Sequence, residues 1–175
     1  MIRELLRLGD PRLYEQSEAV TEADLPLLDG WVEDLHDTLL EYRRVYGAGR
    51  AIALPQIGIK KRVLYLLTDR EIVFINPTLH FPDGEMFEVL DDCMSFPGLC
   101  VRVLRHKRAE ISYTDRQGQP RRMALEDELS ELLQHEYDHL DGILATMRAV
   151  DERAFVMTRN MVIDKREYDK GKESV

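Results

Sequence analysis

The sequence predicts an α+β domain, with mainly antiparallel sheets packed around a central helix that carries a His-Glu-x-x-His motif. Three observations point there. Apolar residues keep helical spacing near the start and again from Glu126, a block of short extended runs lies between, and Asp115-Arg116-Gln117-Gly118 supplies a hairpin turn inside that block.

Residues 1–20 read as an extended arm with a turn at Gly9-Asp10-Pro11. From Asp24 to Val45, Leu28, Trp31, Val32, Leu35, Leu39 and Tyr42 fall on one helical face, and Gly47 and Gly49 end the run. Arg62–Leu67 and Glu71–Ile75 read as strands, the second stopped by Asn76-Pro77. Met86–Leu90 and Val101–Tyr113 also look extended, and Arg121–Ala124 is the return strand of the hairpin. Leu129, Leu132, Leu133, Tyr137 and Leu140 then restore the helical period until Asp141-Gly142 stops it. A weak last helix is expected over Asp151–Val162, within a single domain spanning 1–163, with 164–175 as a polar, frayed tail.

The 175 residues suffice for one domain with a full core. Hydrophobic residues make up 44% and charged residues 33%, as in an ordinary globular chain. Lys plus Arg number 24 against 33 Asp plus Glu, a net charge of −9. That balance argues against nucleic acid as a partner and against an anionic membrane surface. No run of 18 apolar residues occurs, so no membrane span is expected, and nothing near Met1 reads as an export signal. Cys93 and Cys100 are therefore expected reduced, in a cytoplasm.

The strongest chemical signal is His135-Glu136-Tyr137-Asp138-His139. Residues four apart stand one turn apart on the same helix face, so His135 and His139 can grip one metal ion with Glu136 beside them as proton acceptor. A catalytic metal needs a third ligand. No histidine follows His139, and Ala145 stands where an extended motif would place one. Glu152 and Glu167 are downstream carboxylates without a supporting pattern, and Gly142 reads as a helix stop. Upstream, Cys93 precedes a Ser-Phe-Pro-Gly turn and reads either as a small core residue or as a ligand. Gly49 to Gly58 is rich in small residues. Within it Gln56 follows Pro55 on a stiffened segment, so its amide can be aimed, although alone it reads as a surface residue on a helix-to-strand connection.

Taken together, Gly49–Gln56, Asp91-Asp92-Cys93-Met94-Ser95 and His135–His139 resemble, in order, the three motifs of the peptide deformylases. The resemblance extends to Gly9-Asp10-Pro11-Arg12-Leu13, Ile75-Asn76-Pro77 and Leu140-Asp141-Gly142, and covers roughly residues 1–150. It implies a divalent metal held by Cys93, His135 and His139, iron(II) first, with zinc, nickel or cobalt as other occupants. It implies Glu136 as general acid/base, with Gln56 and the Met94 backbone N–H binding an oxyanion. The implied substrate is an N-formylated peptide or nascent-chain terminus, with Gly49, Arg50, Ala51, Glu128 and Leu132 in its pocket. The sequence departs from the pattern at Ala51 and Leu54 in the first motif and at Asp91-Asp92 in the second. Glu128 stands seven residues before His135, where the family tends to carry an apolar pocket wall. These departures favour a related amide hydrolase with another N-acyl substrate as the alternative. A non-catalytic relative is a further one, against which the retention of Glu136 speaks.

Overall fold

The computed structural model describes residues 1–158 of the chain. Helix α1 runs Leu25–Tyr46, with Pro26 in its first turn, and Gly47 closes it at φ 66° with its N–H on the Arg43 carbonyl. The strands follow as β1 (Ala51–Ala53), β2 (Val63–Leu67), β3 (Glu71–His80), β4 (Met86–Asp92), β5 (Leu99–His106), β6 (Arg108–Thr114) and β7 (Pro120–Glu126). Helix α2 is Asp127–Leu140, and a short β8, Phe155–Met157, comes last. Every paired strand is antiparallel, in a five-stranded sheet ordered β1-β2-β3-β6-β7 and a three-stranded sheet ordered β4-β5-β8. Among the described residues no helix is long and apolar enough to cross a membrane.

The larger sheet is covered on both faces. Val63, Tyr65, Val73 and Ile75 pack with Val32, Leu35 and Leu39 of α1. Leu64, Leu66 and Phe74 point the other way, onto Leu132, Leu133 and Leu140 of α2. This explains why Val63–Leu67 is a continuous apolar run instead of an alternating one: a strand buried on both sides has no polar face. A third cluster joins Cys93, Phe96, Val101, Val103, Ala145 and Ala154 under the smaller sheet. Helix α2 thus lies between the two sheets, as the sequence predicts.

Three expectations are corrected. Val101–Tyr113 is not one run: it breaks at Lys107, and β5 and β6 belong to different sheets. The His106 backbone is claimed by α2, its carbonyl accepting from Ser130 Oγ at 2.9 Å and Gln134 Nε2 at 2.8 Å, while its N–H donates to Gln134 Oε1 at 2.9 Å. Asn76-Pro77 does not stop β3 but bends it, with a register shift between Ile75 and Thr78. Pro77 cannot donate to the ladder, and Asn76, at φ 49°, spends its amide on the Val20 backbone. The last helix is absent from the described part of 151–162, where Phe155–Met157 instead pairs with β5. The rest of that segment, the domain limit at 163 and the tail at 164–175 lie outside the described residues.

Gly142 ends α2 at φ 70°, and a Cβ there would stand 2.6 Å from the Tyr14 backbone. Side chains avoid this left-handed backbone, and main chain cannot swing aside. Gly142→Ala is therefore expected to destabilise the fold by about 2 kcal/mol or more, read as a lowered thermal midpoint.

Candidate metal centre

Helix α2 is amphipathic in an unusual sense: its buried side includes Ser130, Gln134, His135, Glu136, Asp138 and His139 besides its leucines. The four-residue spacing stacks His135 and His139, and their Nε2 atoms lie 3.2 Å apart. Facing them is the turn after β4. The Phe96 N–H caps the Cys93 carbonyl at 3.1 Å and closes that turn, so the cysteine points inward. Cys93 Sγ lies 3.3 Å from His139 Nε2, and the three ligating atoms are all within 4.8 Å of one another. Cys93 and His135 are 4% exposed and His139 1%. Two ring nitrogens and a sulfur converging at this range, away from water, form the donor set of a borderline-soft divalent cation. The residues fit a metal such as iron(II), zinc, nickel or cobalt.

The third donor comes from upstream, not downstream. Ala145 is a buried core residue beside Cys93, Glu152 is exposed, and Glu167 is outside the described residues. The other cysteine, Cys100, is also a free buried thiol but does not join the cluster.

Gln56 is buried, contrary to its reading from the residues alone as a surface amide. Its Oε1 accepts from the Ala53 N–H at 2.9 Å, which turns Nε2 toward Ser95 Oγ at 3.3 Å and Cys93 Sγ at 3.6 Å. The Ser95 N–H adds a contact to Sγ at 3.4 Å. The Met94 carbonyl accepts from Arg7 Nη1 at 2.8 Å, which ties this turn to the N-terminal arm.

Behind His135 runs a chain of alternating charges. His135 Nδ1 lies 2.7 Å from Asp91 Oδ1, a close contact whose angle falls short of a straight hydrogen bond. Asp91 Oδ2 accepts from Arg105 Nη2 at 2.6 Å, Arg105 Nη1 donates to Asp138 Oδ2 at 2.5 Å, and Arg148 grips the same Asp138 with two bonds of 2.6 Å. Burial alone would raise the Asp91 carboxyl, but His135 and Arg105 override it and hold it at about 2. Burial likewise opposes charge on His135, yet Asp91 and Cys93 keep that imidazole above its ordinary range, while burial and His135 push His139 down. Glu136 is different: its buried Oε2 has no partner, and burial pushes its carboxyl up to about 7. A buried carboxyl with one unpartnered oxygen beside the ligand cluster is equipped to take up and release a proton.

A cavity of about 60 Å³ opens beside this cluster, and Gly49, Arg50, Ala51 and Leu132 line it as expected. Gly49 sits at φ 113° against Leu39 and Tyr42, where a Cβ would come within 3.1–3.2 Å. Glu128 does not line the cavity: its side chain is 89% exposed in the first turn of α2. Glu131, three residues on, takes that wall. The sequence held a signal for it, since it stands four residues before His135, the spacing that joins the two histidines. Nothing comparable marked Arg105. A larger hollow of about 400 Å³ on the outer side of β3, β6 and β7 is lined by side chains such as Arg116 and Arg121 that are already paired with acids, away from the ligand cluster.

With the geometry in place, known proteins can be set beside it. The polypeptide deformylase family model matches residues 2–155. The chain belongs to the peptide deformylase family. It is 33% identical over 153 residues to a peptide deformylase of Dictyoglomus turgidum, covering 87% of this chain and 95% of that one. The crystal structure of the Thermotoga maritima deformylase superposes with a TM-score of 0.78 at 29% identity, covering 86% of this chain and 99% of that one. A class I type b deformylase from Acinetobacter baumannii, solved with Met-Ala-Ser bound, superposes at 0.77 with 25% identity, covering 85% and 98%. Like its relatives, the chain is a hydrolase.

Two sets of variants probe the centre. Cys93→Ala, His135→Ala and His139→Ala should each lose bound metal on elemental analysis, whereas Cys100→Ala should keep it. Arg105→Ala removes the cation between two buried carboxylates, leaving Asp91 with only His135 and Asp138 with only Arg148. It should cost about 3–5 kcal/mol in denaturant unfolding and weaken metal retention against a chelator.

Proposed function

We propose that this chain hydrolyses the N-formyl group from peptide amino termini, formylmethionyl ends among them, releasing formate and a free amine. The observation that carries the reading is the convergence of Cys93, His135 and His139 beside the buried Glu136, whose Oε2 has no partner among the described residues. A structural metal site has no need of that carboxylate.

Cys93, His135 and His139 would hold one divalent cation, iron(II) foremost, with zinc, nickel or cobalt as substitutes. When bound, such a cation supplies Lewis acidity and makes water a stronger acid. Glu136 then accepts a proton from the attacking water, whose oxygen bonds to the formyl carbon. As the C–N bond breaks, the same carboxyl delivers that proton to the departing amine nitrogen. The Gln56 Nε2–H, aimed by the Ala53 hydrogen bond, donates to the oxyanion that develops on the formyl oxygen. The Met94 backbone N–H is the second donor by resemblance to the family. A donor so placed is worth roughly 3–4 kcal/mol of barrier. Arg105 and Asp91 act at one remove, keeping the His135 ring in place.

A thiolate ligand must stay reduced, and we place the protein in the cytoplasm on that ground.

Formate release from N-formyl tripeptides, with acetylated and unmodified versions as controls, tests the reading on anaerobically prepared iron(II) protein. Turnover of the formyl peptides alone is expected. Glu136→Gln should keep its metal and lose about 10²-fold or more in kcat; near-normal turnover in that variant would remove Glu136 from the mechanism.

A further inference from the structure

The cavity beside the metal centre has a charged wall. Glu131 lies on the face of α2 that carries His135, one turn earlier, and its side chain is only 15% exposed. Its one ionic partner among the described residues is Arg50, whose Nη2 is 3.9 Å away, too far for a hydrogen bond. The same guanidinium also stands 3.6 Å from Glu128, so one cation is shared between two carboxylates. Asp92 lines the cavity as well and has no cationic partner among the described residues. Two carboxylates therefore share one guanidinium at the mouth, and a third, Asp92, lines the same cavity. Glu136, whose buried Oε2 is unpartnered, lines the same cavity from within.

Size and charge together restrict what can enter. About 60 Å³ is room for one or two water molecules. A long substrate side chain therefore takes the place of the half-exposed Arg50 head group instead of lying beside it. If the newcomer is a cation, Glu131 exchanges one positive partner for another. If it is a thioether or a hydrocarbon, Glu131 loses its partner and its water together, which is strongly unfavourable. An acidic side chain would meet Glu131 and Asp92 directly.

We propose that Glu131, with Asp92 and the displaceable Arg50, makes this site select N-formyl peptides whose first residue carries a cationic side chain. Lysine and arginine are the class, in preference to methionine. The proposal rests on the deformylase reading of the site and adds a specificity-determining residue to it.

Two measurements on the metal-loaded protein separate the two ideas. The first is kcat/KM for formyl-Lys-Ala-Ser, formyl-Met-Ala-Ser and formyl-Asp-Ala-Ser. The second is calorimetric binding of the same three peptides without the formyl group. The lysine peptides should lead in both, by about tenfold or more over methionine. Glu131→Leu, checked for normal metal content, should reverse that order, and Glu131→Gln should level it. Should the formyl peptides turn over with methionine equal or ahead, the selectivity is wrong and the deformylase reading stands. A lead for aspartate would make Arg50 the selector and overturn the proposal in the same way. No turnover with any formyl peptide, together with preferential binding of Lys-Ala-Ser, would remove the deformylase reading and leave the selectivity in place.

Discussion

Everything in this molecule is arranged around one polar helix buried between two sheets. A buried polar group must find a partner or cost stability, and α2 carries six of them on its inner side. Ser130 and Gln134 answer to the His106 backbone and so set where β5 ends and β6 begins. Asp138 answers to Arg105 and Arg148, which brings the smaller sheet and the segment after α2 onto the helix. His135 and His139 converge with Cys93. Among the described residues, Glu136 Oε2 and His139 Nδ1 are left without a hydrogen-bond partner.

The same arrangement is tightly bonded behind the ligand cluster and looser at the cavity mouth. The Arg148–Asp138–Arg105–Asp91 chain is held by bonds of 2.5–2.6 Å, with Asp91 and Arg105 almost entirely out of water. Such a network is costly to break at any one link. Arg50 and Glu131, at the cavity mouth, meet only at 3.9 Å, and Arg50 is half exposed. Contacts of that kind rearrange at little cost, so the cavity mouth can change without disturbing Cys93, His135, Glu136 or His139.

Three departures from the family motifs acquire distinct meanings in three dimensions. Asp91 remains an acid and still reaches both His135 and Arg105, so it backs the ligand cluster. Asp92, its neighbour on β4, points the other way along the strand and stays exposed at the cavity. Glu128, the departure most visible in the sequence, sits in the first turn of α2 and reaches solvent. Its consequence is indirect, through its hold on Arg50.

The fold class, both long helices, most strands and the grouping of Cys93, His135 and His139 were legible in the sequence. Those follow from local periodicity and from motifs whose residues are neighbours along the chain, or whose order matches a family. Tertiary structure alone decided what depends on distant partners. Lys107 splits one extended run because side chains of α2 take the His106 backbone. Phe155–Met157 is a strand because β5 offers an open edge. Gln56 is buried because Ala53 and Ser95 hold both ends of its amide. Arg105, indistinguishable in sequence from a surface arginine on a strand, becomes the centre of the buried charge chain because Asp91 and Asp138 meet over it. Helical period cannot separate Glu128 from Glu131, since both lie on the face of His135; only the end of the cavity wall, set by packing against the β1 segment and the turn after β4, places one in solvent and the other at the site.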